Sequence, residues 1–208
     1  KVCTVEKIKQ TTFFSEKVNW KVPLLTGIAI CLLALACLGI IQKTSSLAGL
    51  WLPTALLIPV LFHHRYLDWI PLLCAAALGI VAAYFIAGTP VLLHLPYTVN
   101  NLIEATLCAL LLRRALPAQD PLSGLSHWVK FLVIAVIFCP LVSSVFMMLF
   151  ILHIHTAAEL QDGFATWYMS EAVPILALTP LGLIYLRGYI HQILTSRRLV
   201  EQLATLFI

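Results

Sequence analysis

The sequence predicts an all-α polytopic membrane bundle: six transmembrane helices plus the truncated start of a seventh, with the N-terminus in the cytoplasm. Three observations carry that expectation. First, the 208 residues are 61% hydrophobic and only 11% charged, against about 25% charged in ordinary soluble domains, and the mean hydropathy is +0.97. So few charges leave too little polar surface to cover a soluble domain, and the balance excludes disorder, collagen and coiled coil. Second, six apolar runs approach or reach the roughly 20 residues needed to cross about 30 Å of hydrocarbon. Third, if the runs alternate in direction, every Lys and Arg but Lys43 falls on one side, which is the cytoplasmic side by the positive-inside rule.

The first run, Pro23–Ile41, follows Lys1, Lys7, Lys9, Lys17 and Lys21. This sets residues 1–22 apart as a cytoplasmic N-terminal segment and 23–208 as the membrane domain. The run is longer than a signal-peptide core and no A-x-A-like cleavage site follows it, so it reads as a retained span. The second run, Leu47–Phe62, is short and is expected to tilt less or to be partly sheltered by its neighbours. The third, Ile70–Ala87, carries Ala75, Gly79, Ala83 and Ala87 at four-residue intervals. That stripe of small residues lets backbones approach closely and reads as packing. The fourth, fifth and sixth runs are Val91–Leu112, Phe131–Leu152 and Phe164–Leu186. Brief polar or turn-forming connections separate them: Lys43-Thr-Ser-Ser, His63-His-Arg, Gly88-Thr-Pro, Pro117-Ala-Gln-Asp-Pro and Gln161-Asp-Gly. Continuous runs, not alternating ones, argue against a β-barrel. After Arg197 and Arg198, the apolar stretch Leu199–Ile208 is too short to span. It reads as the start of a seventh span whose remainder is missing, with an interfacial amphipathic helix as the other reading. With no initiating Met, the chain reads as a piece of a longer protein.

Polar side chains within spans are costly, which makes them the default functional candidates. Counting from the nearest basic residue at about 1.5 Å per residue places them in depth. Trp51 and Thr54 stand roughly 21 and 17 Å above Arg65, and Tyr97 and Asn100 roughly 24 and 20 Å above Arg113. Ser143 and Ser144 stand roughly 20 Å above Lys130, and Glu171 roughly 24 Å above Arg187. With Asn101 and Trp167 they define one layer in the outer half of the bilayer and a candidate ligand cavity, in which Glu171 meets a cationic or hydroxylic group. Tyr97, Asn101, Glu104 and Cys108 share one helix face. Glu104 stands only about 14 Å above Arg113, below the layer and near the level of Thr179. It is therefore expected not to pair with Glu171. Glu104 and Thr179 are assigned to coupling or packing, together with Ala75, Gly79 and Ala83. The competing reading of the Asn, Ser and Thr residues is interhelical packing; for a glutamate it is a protonated carboxyl acting as a neutral donor. Pro53, Pro96, Pro140, Pro174 and Pro180 agree with a bundle whose helices kink around a cavity.

No metal or cofactor is expected. The six cysteines form no CxxC pair, and those inside spans behave as small hydrophobes. No His lies in mid-membrane where haem would need it. His94, His153 and His155 with Glu159 or Asp162 form the one metal arrangement considered, and solvated interfacial histidines are the plainer reading. No phosphate loop, HExxH or GxSxG motif is present.

Three motifs in order carry a family likeness. Leu50-Trp-Leu-Pro-Thr-Ala-Leu-Leu resembles the W-x-P signature of the membrane-associated sensor domain of bacterial signalling proteins (MASE type 1). Asn101-Leu-Ile-Glu-Ala, running on to Arg113 and Arg114, resembles that family's N-x-x-E-A…LLRR helix. Trp167-Tyr-Met-Ser-Glu-Ala, with Pro180 and Gly182 downstream, resembles its W-x-x-S/D…P-L-G segment. The likeness covers roughly residues 40–190 and is greatest to the N-terminal sensor of an enterobacterial diguanylate cyclase. It implies an input module of about eight spans in the bacterial inner membrane, joined in cis to a cytoplasmic output. The output is usually a diguanylate cyclase and sometimes a phosphodiesterase or histidine kinase.

The expected function is thus sensory input that controls cyclic-di-GMP synthesis, with no enzymatic activity in this chain. Expected partners are membrane lipid, an unidentified small-molecule or membrane cue, the output domain, and a second copy, because cyclase outputs work as pairs. Nucleic acid is not among them. The competing function is a six-span solute-binding subunit of a vitamin-type transporter, although Ala29, Ala34 and Ala36 lack the AxxxA docking spacing of that class.

Overall fold

The structure is a computed structural model that describes residues 20–44, 49–117, 120–151 and 157–185. Among them there is helix and no strand. The helices are α1 (Lys21–Thr44), α2 (Leu52–His63), α3 (Trp69–Ala87), α4 (Val91–Ala115), α5 (Leu125–Phe131), α6 (Cys139–Ile151) and α7 (Ala157–Tyr185). A 3₁₀ turn, Tyr66–Asp68, leads into α3, and a π-helical stretch, Leu132–Phe138, joins α5 to α6. Five helical segments are long and apolar enough to cross a membrane: Lys21–Gln42, Tyr66–Ala87, Val91–Ala115, Leu125–Phe150 and Asp162–Ile184. The region expected to begin a seventh span, Leu199–Ile208, lies outside the described residues, as does most of the segment 1–22.

Within the expected second span, Leu47–Phe62, the helix is shorter than the run. Helix α2 has 12 residues, about 18 Å of rise, which falls short of the hydrocarbon thickness. Its chain enters as non-helical Gly49–Trp51. Non-helical backbone at membrane depth is tolerated only where protein satisfies it. Here the Trp51 N–H donates to the Ser170 carbonyl at 2.8 Å. Nine of the 12 residues of α2 are buried, so α2 is the centre of the bundle and the longer helices surround it.

Helix directions follow from the contacts. Gly27 packs against Ala75 and Gly79, while Gln42 Nε2 donates to the Ala87 carbonyl at 2.9 Å, so α1 and α3 run the same way. Arg113 Nη1 donates to the His64 carbonyl at 2.7 Å and Thr54 meets Asn101, so α2 and α4 are parallel. Trp51 against Ser170 and His63 against the Leu183 carbonyl, 3.0 Å, set α7 parallel to α2. Tyr168 against Val136 and Gly163 against Met148 set α7 antiparallel to the α5–α6 segment. Lys21, Arg65, Arg113, Arg114 and Lys130 consequently share one end of the bundle.

The α1–α3 seam shows why small residues recur there. A Cβ on Gly79 would collide with the Gly27 carbonyl, and one on Gly27 would stand 2.8 Å from the Ala75 carbonyl. Ala76 and Ala83 are fully buried beside it. At the far end, α3 stops at Gly88, whose φ of 71° suits a residue without a Cβ. The N–H groups of Gly88 and Thr89 donate to the carbonyls of Phe85 and Tyr84, both at 3.2 Å. This is a Schellman closure, and Pro90 then starts α4.

Pro59 and Pro174 each leave a carbonyl four residues earlier without its helical donor, and in each case a group from another element supplies one. For Pro59 the freed carbonyl is Ala55, which accepts from the Thr179 hydroxyl at 3.0 Å. For Pro174 it is Ser170, the acceptor of the Trp51 N–H. Near Pro140, where the register is π-helical up to Phe138, the Val136 carbonyl accepts from the Tyr168 hydroxyl at 3.3 Å. Helix α7 takes part in all three, twice as donor and once as acceptor. The π-helical stretch runs up to Pro140 and interrupts what the sequence presents as one uniform span, Phe131–Leu152.

Candidate functional site

A cavity of about 540 Å³ lies in the half of the bundle away from the basic end. Leu38 and Ile41 of α1, Trp51 before α2, Tyr84 of α3, Tyr97 and Asn101 of α4, and Met147 and Met148 of α6 line it, with Gly49 and Thr89. Helix α7 contributes Asp162, Gly163, Thr166, Trp167, Ser170 and Glu171. Four aromatic rings follow one another along the wall. Trp51 stacks on Tyr84 at 5.9 Å, Tyr84 meets Tyr97 edge-on at 6.2 Å, and Tyr97 lies against Trp167 at 5.3 Å.

Each ring is held from behind. Tyr84 sits in the last turn of α3, and the buried His94 stacks on its other side at 5.5 Å. His94 is itself fixed by Thr89, whose hydroxyl lies 2.9 Å from Nε2. The sequence reading of His94 as a solvated interfacial residue is therefore corrected: it is packed between Tyr84 and Phe85. The Trp167 indole N–H donates to Ser143 Oγ at 3.2 Å, and Asn100 Nδ2 donates to the same oxygen at 2.8 Å. Asn101 Nδ2 donates to the Tyr97 carbonyl at 2.8 Å, and its Oδ1 accepts from Thr54 at 3.4 Å.

Glu171 carries the site's buried charge-bearing group. It is 1% exposed and lines the cavity. Its Oε2 has no hydrogen-bond partner among the described residues. The indole N–H of Trp51 is also buried without a partner. Trp51 and Glu171 thus line the cavity while a donor of one and an acceptor of the other lie buried in its wall without a partner among the described residues.

Of the residues expected at the site, Trp51, Tyr97, Asn101, Trp167 and Glu171 line this cavity. Thr54, Asn100, Ser143 and Ser144 do not. Thr54 stands behind Asn101. Asn100 and Ser143 tie α4 to α6 and anchor Trp167, and Ser144 donates back to the Pro140 carbonyl at 2.7 Å within its own helix. Neighbours in a helix point about 100° apart, so of the pair Asn100–Asn101 one faces the cavity and the other α6. The polar neighbours expected for Glu171 from the fourth span are represented at the cavity by Tyr97 and Asn101, while Asn100 faces α6. Tyr84, Thr89, Met147, Met148, Asp162 and Thr166 escaped the sequence reading. For Tyr84 a signal was available, since it lies one turn before the α3-ending Gly88 and so at the level of the outer layer.

Glu104 lies outside the cavity lining, 1% exposed, with neither carboxyl oxygen hydrogen-bonded. Thr179 is not its partner, since that hydroxyl is engaged with Ala55. Gly79 and Ala83 sit in the α1–α3 seam, as does the Ala75 backbone. Among the described residues no group of His, Cys, Asp and Glu is arranged to hold a metal ion. His153 and His155 fall outside them.

At the basic end, Arg113 closes the bundle. Besides its bond to the His64 carbonyl, its guanidinium lies 4.1 Å from the Tyr66 ring centre and 5.7 Å from that of Trp69. Trp69 Nε1 donates to the Leu61 carbonyl at 3.0 Å. A cation is thereby held over the C-terminus of α2, where the helix dipole favours it.

The MASE1 family profile matches residues 7–208. The probable diguanylate cyclase DgcE of Escherichia coli (strain K12) is 30% identical over 182 residues, which cover 88% of this chain and 16% of that protein. This chain thus spans about one sixth of that relative's length. No solved structure matches the chain. With a profile match over nearly its whole length and long apolar helices throughout, the chain belongs to the MASE1 family of multi-pass sensor domains of the bacterial inner membrane.

Proposed function

We propose that this chain is the membrane input domain of a signalling protein whose cytoplasmic output is a diguanylate cyclase making cyclic di-GMP. The observation that carries the reading is the similarity to a probable diguanylate cyclase across 88% of this chain. Family membership also draws the reading away from a transport subunit. The cyclase chemistry belongs outside this chain, in a domain joined to it in cis, and a homodimer is the form in which paired outputs would meet.

In this reading six segments cross the membrane, the basic end of the bundle faces the cytoplasm, and the cavity faces the periplasm. Two features support six crossings. The helices alternate in direction, and the non-helical Gly49–Trp51 adds up to about 10 Å to the roughly 18 Å of α2, which brings the second segment close to the hydrocarbon thickness. A cue can change output only if it binds two bundle arrangements differently. Helices α4 and α7 line the cavity with Tyr97 and Glu171 and reach the basic end with Arg113 and Leu183, and α2 connects the two ends between them. A tilt or rotation of these three helices is the route by which occupancy would reach the output.

The test is biochemical. The full-length protein, purified in nanodiscs and supplied with GTP, is expected to form cyclic di-GMP. A full-length protein without that activity would refute the output assignment.

A further inference from the structure

The geometry points to an amphipathic organic cation, an ammonium group carried on an apolar body, as the chemical class of ligand for the cavity. The inference rests on the reading of the cavity as an input site and adds what would occupy it.

Three observations converge on a cation. The formally charged side chains that line the cavity are both acidic, Glu171 inside and the exposed Asp162 toward the end of the bundle. Among the described residues no Lys or Arg lines it. A second is the aromatic wall. Trp51, Tyr84, Tyr97 and Trp167 succeed one another at 5.3–6.2 Å between centroids. Tyr84 is stacked on both faces, by Trp51 and by His94, so the rings left to meet a cation are Tyr97 and Trp167. A third is Glu171 Oε2, buried without a partner. An unpaired buried acceptor is costly, and a rotation of the Glu171 carboxyl into the cavity that its side chain lines would let a bound ammonium supply the missing donor or charge.

The size and remaining lining specify the body of the ligand. About 540 Å³ falls in the range of sites for drug-sized molecules, about 300–1,000 Å³, and is too large for a bare ammonium ion. Leu38, Ile41, Met147 and Met148 supply an apolar surface, and methionine adapts to varied shapes. The buried Trp51 N–H adds one donor for an oxygen elsewhere on the ligand.

The test is calorimetric titration of the full chain in nanodiscs of zwitterionic lipid with three matched probes: benzyltrimethylammonium, benzyl alcohol and phenylacetate. The cation is expected to bind at least about tenfold more tightly than the alcohol, a margin that a buried charge contact and the aromatic faces can supply, and the anion not at all. Glu171→Gln should lose about tenfold for the cation and leave the alcohol unchanged. Asp162→Asn, an exposed substitution that leaves the bundle core untouched, should weaken the cation by a few fold and serves if Glu171→Gln fails to fold. Equal or preferential binding of the alcohol, with Glu171→Gln neutral, would overturn the cation assignment in favour of a hydroxylic ligand. Preference for phenylacetate would overturn it outright. These titrations read no cyclase output. Absent cation binding with an output that still responds to Glu171→Gln would therefore refute the ligand class alone. Cation binding with an unresponsive output would refute the input reading alone.

Discussion

Thr179 shows how a single hydroxyl in this bundle is matched to a single defect. Pro59 deprives the Ala55 carbonyl of its helical donor, and Thr179 replaces it across the α2–α7 interface. Interhelical hydrogen bonds in membranes contribute about 0.6 kcal/mol on average and up to about 1.7. Thr179→Val is therefore expected to cost about 1 kcal/mol of stability, read from unfolding in mixed micelles. In a Pro59→Ala background the helix repairs itself, since the backbone N–H restored at that position donates to the Ala55 carbonyl. There the same substitution should cost close to nothing, and the double-mutant cycle isolates the pair. An equal cost in both backgrounds would show that Thr179 matters for packing alone. Residue types and depths were legible in the sequence, and this is how Trp51, Tyr97, Asn101, Trp167 and Glu171 were grouped. Side-chain direction was less so: Asn100 and Asn101 share a depth but face different helices, and the donors for proline-freed carbonyls lie far away in sequence.

Among the elements, α1 and α3 make the closest approach. A Cβ at Gly79 meets the Gly27 backbone, whereas a Cβ at Gly39 meets nothing within 4 Å. Gly79→Leu is expected to destabilise by about 3 kcal/mol or more, since backbone itself must move. Gly39→Ala, elsewhere in the same pair of helices, should be neutral or stabilising by up to about 1 kcal/mol because it restores helix propensity. Melting temperatures of the two variants in one detergent decide the matter, and a fall for both would contradict the seam described. The stripe Ala75, Gly79, Ala83 announced this packing. The second run was legible as short, but its non-helical entry through Trp51 and the π-helical stretch before Pro140 were not announced, because hydropathy reports how apolar a run is and is blind to its hydrogen-bond register. Pro59, inside α2, was the overlooked sign that the second run is not an ordinary helix.

For the molecule as a whole, charge and cavity lie at opposite ends. Fusions of an alkaline phosphatase or a fluorescent protein after Leu112 and after Arg187 are expected to report the cytoplasm, and fusions near Gly88 and Glu159 the periplasm. A periplasmic report after Arg114 would overturn the six-crossing arrangement. The one-sided Lys and Arg made this asymmetry readable from sequence, whereas the aromatic wall was not, since Tyr84 joins Tyr97 and Trp167 only through the packing of α3 on α4 and α7. The central claim is that the cavity around Glu171 sets the activity of the cytoplasmic output. Its most direct measurement is the rate of cyclic di-GMP formation by the full-length protein in nanodiscs, wild type against Glu171→Gln at matched protein and matched melting temperature. Coupling between distant sites commonly changes a bound equilibrium by about fivefold or more, and a rate difference of that order is expected. Equal rates from two equally folded proteins would contradict the claim.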